Sequence, residues 1–270
     1  MLSELLTVVV PSKNEERNIE ACLRSVPREL STFVVDSGSS DRTVEIASSL
    51  GATVTDFTWD GTFPKKRNWF LEQGMVITPW VLFLDADERL SERFVSELKS
   101  VLPKTRKVGF WIRYSDHFMN RSLKHGIPMR KLSLFRPSAG RYERVDDERW
   151  TQLDMEVHEH PVLSGKVGKL RSEIIHLDMN RLEKWISRHN AYSTWEAQRI
   201  VSAAVKGNTL RQRLKYGTVR SPIFPLAYFA VQFFGFGGFR DGATGLKFAA
   251  AKALYFETLR QKIEELERCD

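Results

Sequence analysis

The first hundred residues alternate short, β-rich apolar runs with amphipathic stretches, and this alternation constrains the fold more than any other feature of the chain. It is the pattern of an α/β domain built on a mostly parallel sheet. Strands are expected at residues 5–10, 32–35, 52–56 and 80–84, and helices at 15–26, 41–50, 65–73 and 92–102, the last closed by Pro103. From residue 109 to about 178 the pattern shifts to short β-like pieces, such as 110–114 and 131–135, separated by loops rich in Arg and His; this predicts a mixed-sheet extension. A long amphipathic helix is expected over 181–204 and another over 243–267. The chain thus divides into 1–108, 109–178 and a helical region 179–270.

In open α/β sheets ligands sit beyond the carboxyl ends of the strands, so those positions are where chemistry is sought. They carry PSKNE (Pro11 to Glu15), DSGSSD (Asp36 to Asp41) and DAD (Asp85 to Asp87), which gathers carboxylates on one edge. Asp85 and Asp87, two apart at a strand end, can point to one side and hold a hard divalent cation through oxygen. Taken alone, an Asp-x-Asp more often ends a strand and starts a turn. Ser12 and Glu15 also satisfy the S-x-x-E capping box, and Asp41 or Ser40 is placed to cap the next helix.

Four motifs in series change the weight of these residues. VVPSKNEERNI, VVDSGSSDRT, KKRNW and FLDADE, in that order and at that spacing, resemble the nucleotide-binding half of family 2 glycosyltransferases, which have the GT-A fold: a Rossmann-like nucleotide-binding half within a mixed sheet. The resemblance covers residues 5–100 and fades toward the C-terminus. It implies inverting transfer from a nucleotide sugar, commonly a UDP-sugar, with a divalent cation, Mn2+ or Mg2+. Position by position, it assigns Pro11 and Glu15 to the loop that cradles the nucleotide, Asp36 to the uracil or ribose, and Arg67 to the nucleotide or its phosphates. It sets Asp85 and the adjoining Ala86 at the ribose or donor sugar and makes Asp87 the direct metal ligand. Lys65 and Lys66 read as solvated surface charge.

Inversion needs a base opposite the leaving group. The family's common Glu-Asp and Gln-x-x-Arg-Trp motifs are absent. In their place stands DMEVHEH, whose Val-His-Glu resembles a subgroup that includes lipopolysaccharide-core glucosyltransferases; Glu159 is the expected base, with Glu156 and Asp154 as alternatives. His176 matches a downstream His that lies near the metal or diphosphate in many GT-A enzymes. His158 and His160 have strand spacing suited to zinc, but no third ligand supports it.

The net charge of +7 calls for an anionic partner: nucleic acid, a phosphate-bearing substrate or the cytoplasmic leaflet of a membrane. No RNP-like or zinc-finger pattern supports nucleic acid. Lys206, Arg211, Arg213, Lys215 and Arg220 occur with no acid between them, directly before an uncharged, aromatic-rich stretch over 221–239. Prolines and glycines in that stretch oppose one straight spanning helix, so residues 206–239 are expected to lie on a membrane surface, which suits a glycan or glycolipid acceptor. Only Cys22 and Cys269 are present, and no basic n-region precedes the first apolar run; both point to a cytoplasmic protein, peripheral on the inner face of the cell membrane. The alternative is a degenerate nucleotide-binding or membrane scaffold protein.

Overall fold

The computed structural model describes residues 1–144, 153–154, 160–202 and 217–269. The chain forms two compact units. Of the described residues, one holds 1–120, 128–144, 154 and 160–179; the other holds 121–127, 153 and those from 180 onward.

In the first unit, β1 (Leu6–Ser12), β2 (Ser31–Asp36), β3 (Thr53–Asp56) and β4 (Trp80–Phe83) are parallel neighbours in the order β3-β2-β1-β4. All seven residues of β1 are buried, which is why it reads as a near-continuous apolar run rather than an alternating one. Successive side chains go to opposite faces. Leu6, Val8 and Val10 pack with α1 (Ile19–Ser25) and α4 (Glu92–Val101) through Cys22, Phe94 and Leu98, while Val9 joins Phe70 of α3 (Lys66–Glu72) on the other face. The helix α2 (Thr43–Ser49) connects β2 to β3.

Beyond β4 the sheet continues as β8-β6-β11-β5, formed by β5 (Glu88–Leu90), β6 (Gly109–Phe118), β8 (Arg130–Phe135) and β11 (Val167–His176). β8 is antiparallel to both β4 and β6, β6 and β11 are parallel, and β5 returns antiparallel to β11. β9 (Gly140–Tyr142) and β10 (Pro161–Leu163) form a separate ribbon. The mixed α/β sheet, parallel in its first half, is the architecture that the GT-A resemblance implies.

Two local expectations are corrected. The first helix begins at Ile19, not at residue 15, because the preceding loop is tied across to residues 39–43: the Ser40 N–H donates to Asn14 Oδ1 (2.8 Å), and the Glu15 N–H donates to Thr43 Oγ1 (2.8 Å). Asn14 takes a left-handed φ of 54° to make that turn. The capping box also gives way, since Ser12 stays in β1 and its hydroxyl donates to Asp36.

The second unit includes β7 (Arg121–Ser122) and packs α5 (Leu182–Val201), α6 (Phe224–Ala230) and α7 (Gly242–Cys269). Ala197, Ile200, Phe256, Leu259 and Ile263 form its core, and the Phe256 ring meets Tyr228 at 4.4 Å and Phe224 at 5.2 Å. Among the described residues no helix is long and apolar enough to cross a membrane. Residues 203–216, which carry most of the basic stretch, lie outside the described residues.

Candidate active site

Strand β4 delivers Asp85 to the carboxyl edge of the sheet, where two cations hold it. Arg67, from α3, donates through Nη2 to Oδ1 (2.8 Å), and Lys131, from β8, donates through Nζ to Oδ2 (2.6 Å). Lys131 also donates to Glu88 Oε1 (2.5 Å), and the Asp85 N–H donates to Glu88 Oε2 (3.0 Å). Burial pushes the Asp85 carboxyl up, but Lys131 and then Arg67 outweigh it and hold the group well below the usual carboxylate range. Glu88 is fully buried. Its own burial, with Asp85 and Asp87 adding to it against the pull of Lys131, pushes it up to about 7. Two carboxylates and two cations thus form a continuous chain.

Next to this chain, His176 at the end of β11 lies between two further acids. Its Nε2 is 3.5 Å from Asp87 Oδ2, and its Nδ1 is 2.9 Å from Asp116 Oδ1. Strand register lines them up, pairing His176 with Asp116 on β6 and with Glu88 on β5. Burial disfavours the imidazolium, but the charge of Asp87 and hydrogen bonds to Asp116 and Asp87 overcome it and raise His176 to about 10.

Asp87 and His176 together fit a divalent cation. A carboxylate oxygen and an imidazole nitrogen suit Mn2+ better than Mg2+. Asp116 on Nδ1 would fix the ring and leave Nε2 as the ligating atom, the usual support for a metal-bound histidine. Among the described residues no group of three or more His, Cys, Asp or Glu has metal-holding geometry.

The residues that the resemblance assigns to the nucleotide lie on the same edge. Pro11 lies buried in β1 opposite Val35, and Ala86, only 4% exposed, separates the two acids after β4. Asp36 is buried and accepts from Ser12 Oγ (2.8 Å), the Ser39 N–H (2.7 Å) and Ser39 Oγ (2.6 Å). Glu15 accepts from Asn18 Nδ2 (2.7 Å), which also reaches Asp178 (3.1 Å) at the end of β11. Asp41 accepts from the Thr43 and Glu16 N–H groups, so its role is to build the turn before α2.

Lys65 and Lys66 are not surface charge, being 5% and 2% exposed. Lys66 Nζ donates to the Ser12 carbonyl (3.0 Å) and sits 3.3 Å from Asp154 Oδ2, so one of the alternative bases is engaged in an ion pair. Glu159 and Glu156 lie outside the described residues. Asp116, Glu88 and Lys131 were not singled out from sequence. Asp116 had one detectable signal: it shares parity on β6 with buried Phe110, Ile112 and Tyr114, so an acid stands where an apolar residue is due.

The His176 cluster sets a pH response in metal-free protein. Because folding raises this pKa, the stabilisation is fully present below about 6.5, the value for free histidine, and is lost as pH rises through about 10. A histidine NMR titration in EDTA is expected to place His176 far above 6.5, and Asp116→Asn to lower it. Titration near 6.5 in both proteins would contradict the arrangement.

The family profile for glycosyl transferase family 2 matches residues 7–158. The chain is 27% identical over 259 residues to a lipopolysaccharide core biosynthesis glycosyltransferase, LpsC, of Rhizobium meliloti, covering 93% of this chain and 88% of that one. It is 26% identical over 276 residues to an uncharacterized glycosyltransferase of Rickettsia typhi, covering 95% and 87%. Among solved structures, S. aureus TarS residues 1–349 aligns over 98% of this chain and 92% of that one, at 14% identity and a TM-score of 0.47.

Proposed function

Because the chain belongs to glycosyl transferase family 2, we propose that this enzyme performs inverting transfer of a sugar from a UDP-sugar to a hydroxyl of a lipid-linked or cell-surface glycan. The observation that carries the reading is the pairing of Asp87 with His176, backed by Asp116, beside Asp85 at the carboxyl edge of the sheet. Asp87 and His176 would hold Mn2+ or Mg2+, which when bound neutralises charge on the diphosphate. Pro11, Glu15 and Asp36 form the nucleotide cradle. Arg67, fixed against Asp85, presents its guanidinium toward the phosphates. Asp85 and Ala86 shape the wall for ribose and donor sugar. Glu159 takes the proton from the acceptor hydroxyl.

The name of the Rhizobium meliloti relative supports a lipopolysaccharide-core acceptor. A membrane-borne acceptor also agrees with the surface of the second unit, where Ile223, Leu226, Val231 and Phe234 are 69%, 71%, 46% and 64% exposed. Together with exposed Ala227 and Ala230 they recur at helical spacing, so one outward stripe is apolar. Such a stripe, preceded in sequence by the basic stretch within residues 206–220, suits peripheral attachment to the anionic inner face of the cell membrane.

Anomeric proton NMR of the product tests the chemistry: an α-linked UDP-sugar is expected to give a β-linked product on core oligosaccharide, and an α-linked product contradicts inversion. Flotation with anionic vesicles tests attachment. The double substitution Leu226→Ser with Phe234→Ser is expected to weaken binding by about tenfold or more; unchanged flotation removes the stripe from the account.

A further inference from the structure

Away from the edge that carries the acids, the outward face of the mixed half of the sheet holds a second concentration of charge, of opposite sign. A cavity of about 290 Å³ is lined by Trp111 and Arg113 of β6, Arg130 of β8, and Lys169, Leu170 and Arg171 of β11. Register explains the convergence. Arg113 pairs directly with Arg130 across the β6–β8 ladder, and Trp111 pairs with Lys169 across β6–β11. The irregularity between Phe110 and Ile112 sets Arg113 opposite Arg130, and the one between Lys169 and Glu173 sets Glu173 opposite Arg113; such bulges re-aim side chains near sites.

Like charges placed directly opposite across a ladder are destabilising, so a cluster of four cations calls for compensation. One carboxylate supplies part of it: Glu173 pairs with Arg113 at 3.1 Å. Glu97, an acid on α4, accepts from the Arg171 and Ser172 N–H groups at 2.9 and 2.7 Å and also feels the charge of Arg171. Among the described residues Arg130, Lys169 and Arg171 form no ion pair. Trp111 is partly exposed and held edge-on against the His160 ring at 5.1 Å.

We propose that this cavity binds a phosphorylated sugar, the phosphate held by Arg130, Arg171 and Lys169 and the apolar face of the ring resting on Trp111. Guanidinium forks match phosphate oxygens in pairs, and an indole offers a flat apolar surface to the C–H face of a pyranose. The site shares no residue with the Asp87–His176 cluster. Its binding therefore stands or falls separately from the transferase reading.

The test is calorimetry on the full chain in EDTA and low salt, with glucose 6-phosphate and inorganic phosphate as probes. Saturable binding of glucose 6-phosphate is expected, weakened about tenfold by Arg130→Gln and by Arg171→Gln. Trp111→Ala is expected to weaken glucose 6-phosphate and spare inorganic phosphate. UDP binding with Mn2+ should be unchanged in all three variants, which also reports that they are folded. In phosphate-free buffer Arg130→Gln is expected to melt no lower than the parent, because a like-charge neighbour has been removed. Absence of saturation up to about 10 mM, an affinity too weak for a built site, or affinity indifferent to the arginines overturns the proposal. Displacement of glucose 6-phosphate by phosphorylated core oligosaccharide, but not by the dephosphorylated form, assigns the phosphate to the glycan acceptor. Displacement by neither upholds a site for a free sugar phosphate.

Discussion

Lys131→Met is expected to destabilise the protein by about 3 kcal/mol, because it strips the shared cation from two carboxylates that remain in place. Lys131 donates to Asp85 Oδ2 and Glu88 Oε1, and Glu88 has essentially no exposure to solvent. Urea denaturation measures the loss. Adding Glu88→Gln to Lys131→Met should recover part of it, since the buried charge goes with its partner. The pH dependence follows from Glu88, whose folded pKa is raised to about 7. A raised carboxylate pKa means that its contribution is intact below the ordinary range near 4.5 and is lost as pH rises through about 7. Removing Lys131 drives Glu88 higher still, so the variant should be closest to the parent in acid and furthest from it above pH 7. A uniform loss of less than about 1 kcal/mol would mean the chain of charges is solvated rather than buried.

Glu159→Gln is expected to lower kcat by about 10²- to 10⁴-fold while leaving UDP affinity unchanged, the magnitude of a lost general base. The amide keeps the size of the side chain and removes its proton affinity. Asp154→Asn should cost less, because Asp154 is engaged with Lys66 and its backbone carbonyl accepts the Lys66 N–H. Glu156→Gln completes the comparison. If Asp154→Asn or Glu156→Gln gives the larger fall, with Glu159→Gln near the parent, the base is reassigned to that residue.

The parallel half of the sheet was legible because β1 and β4 are buried along their whole length and the apolar runs of β2 and β4 lead into the acids Asp36 and Asp85. Strand positions, the order of the first four strands' chemistry and the gathering of Pro11, Glu15, Asp36 and Asp85 at one edge followed from that. What was illegible depended on partners remote in sequence. Lys66 looked like solvated charge because nothing near it in the chain reveals the Ser12 carbonyl or Asp154 that accept it in the interior. Lys131 and Glu88 meet only because β8 and β5 lie within one mixed sheet, and Asp116 meets His176 only through β6–β11 pairing. Period-2 patterning places a residue on a face, but not opposite a given neighbour. The start of α1 slipped for the same reason: the loop at Asn14 and Glu15 is held by Ser40 and Thr43 rather than by its own helix.

Release of nucleoside diphosphate from a panel of nucleotide sugars, without acceptor and with either Mn2+ or EDTA, tests the central claim most directly. The account predicts slow, Mn2+-dependent release of UDP from one sugar. Asp87→Ala should lower that release by about 10³-fold or more, and excess Mn2+ should not restore it. No release together with no metal-dependent nucleotide binding, or release indifferent to both EDTA and Asp87→Ala, would contradict the assignment of Asp87 and His176 to the donor site.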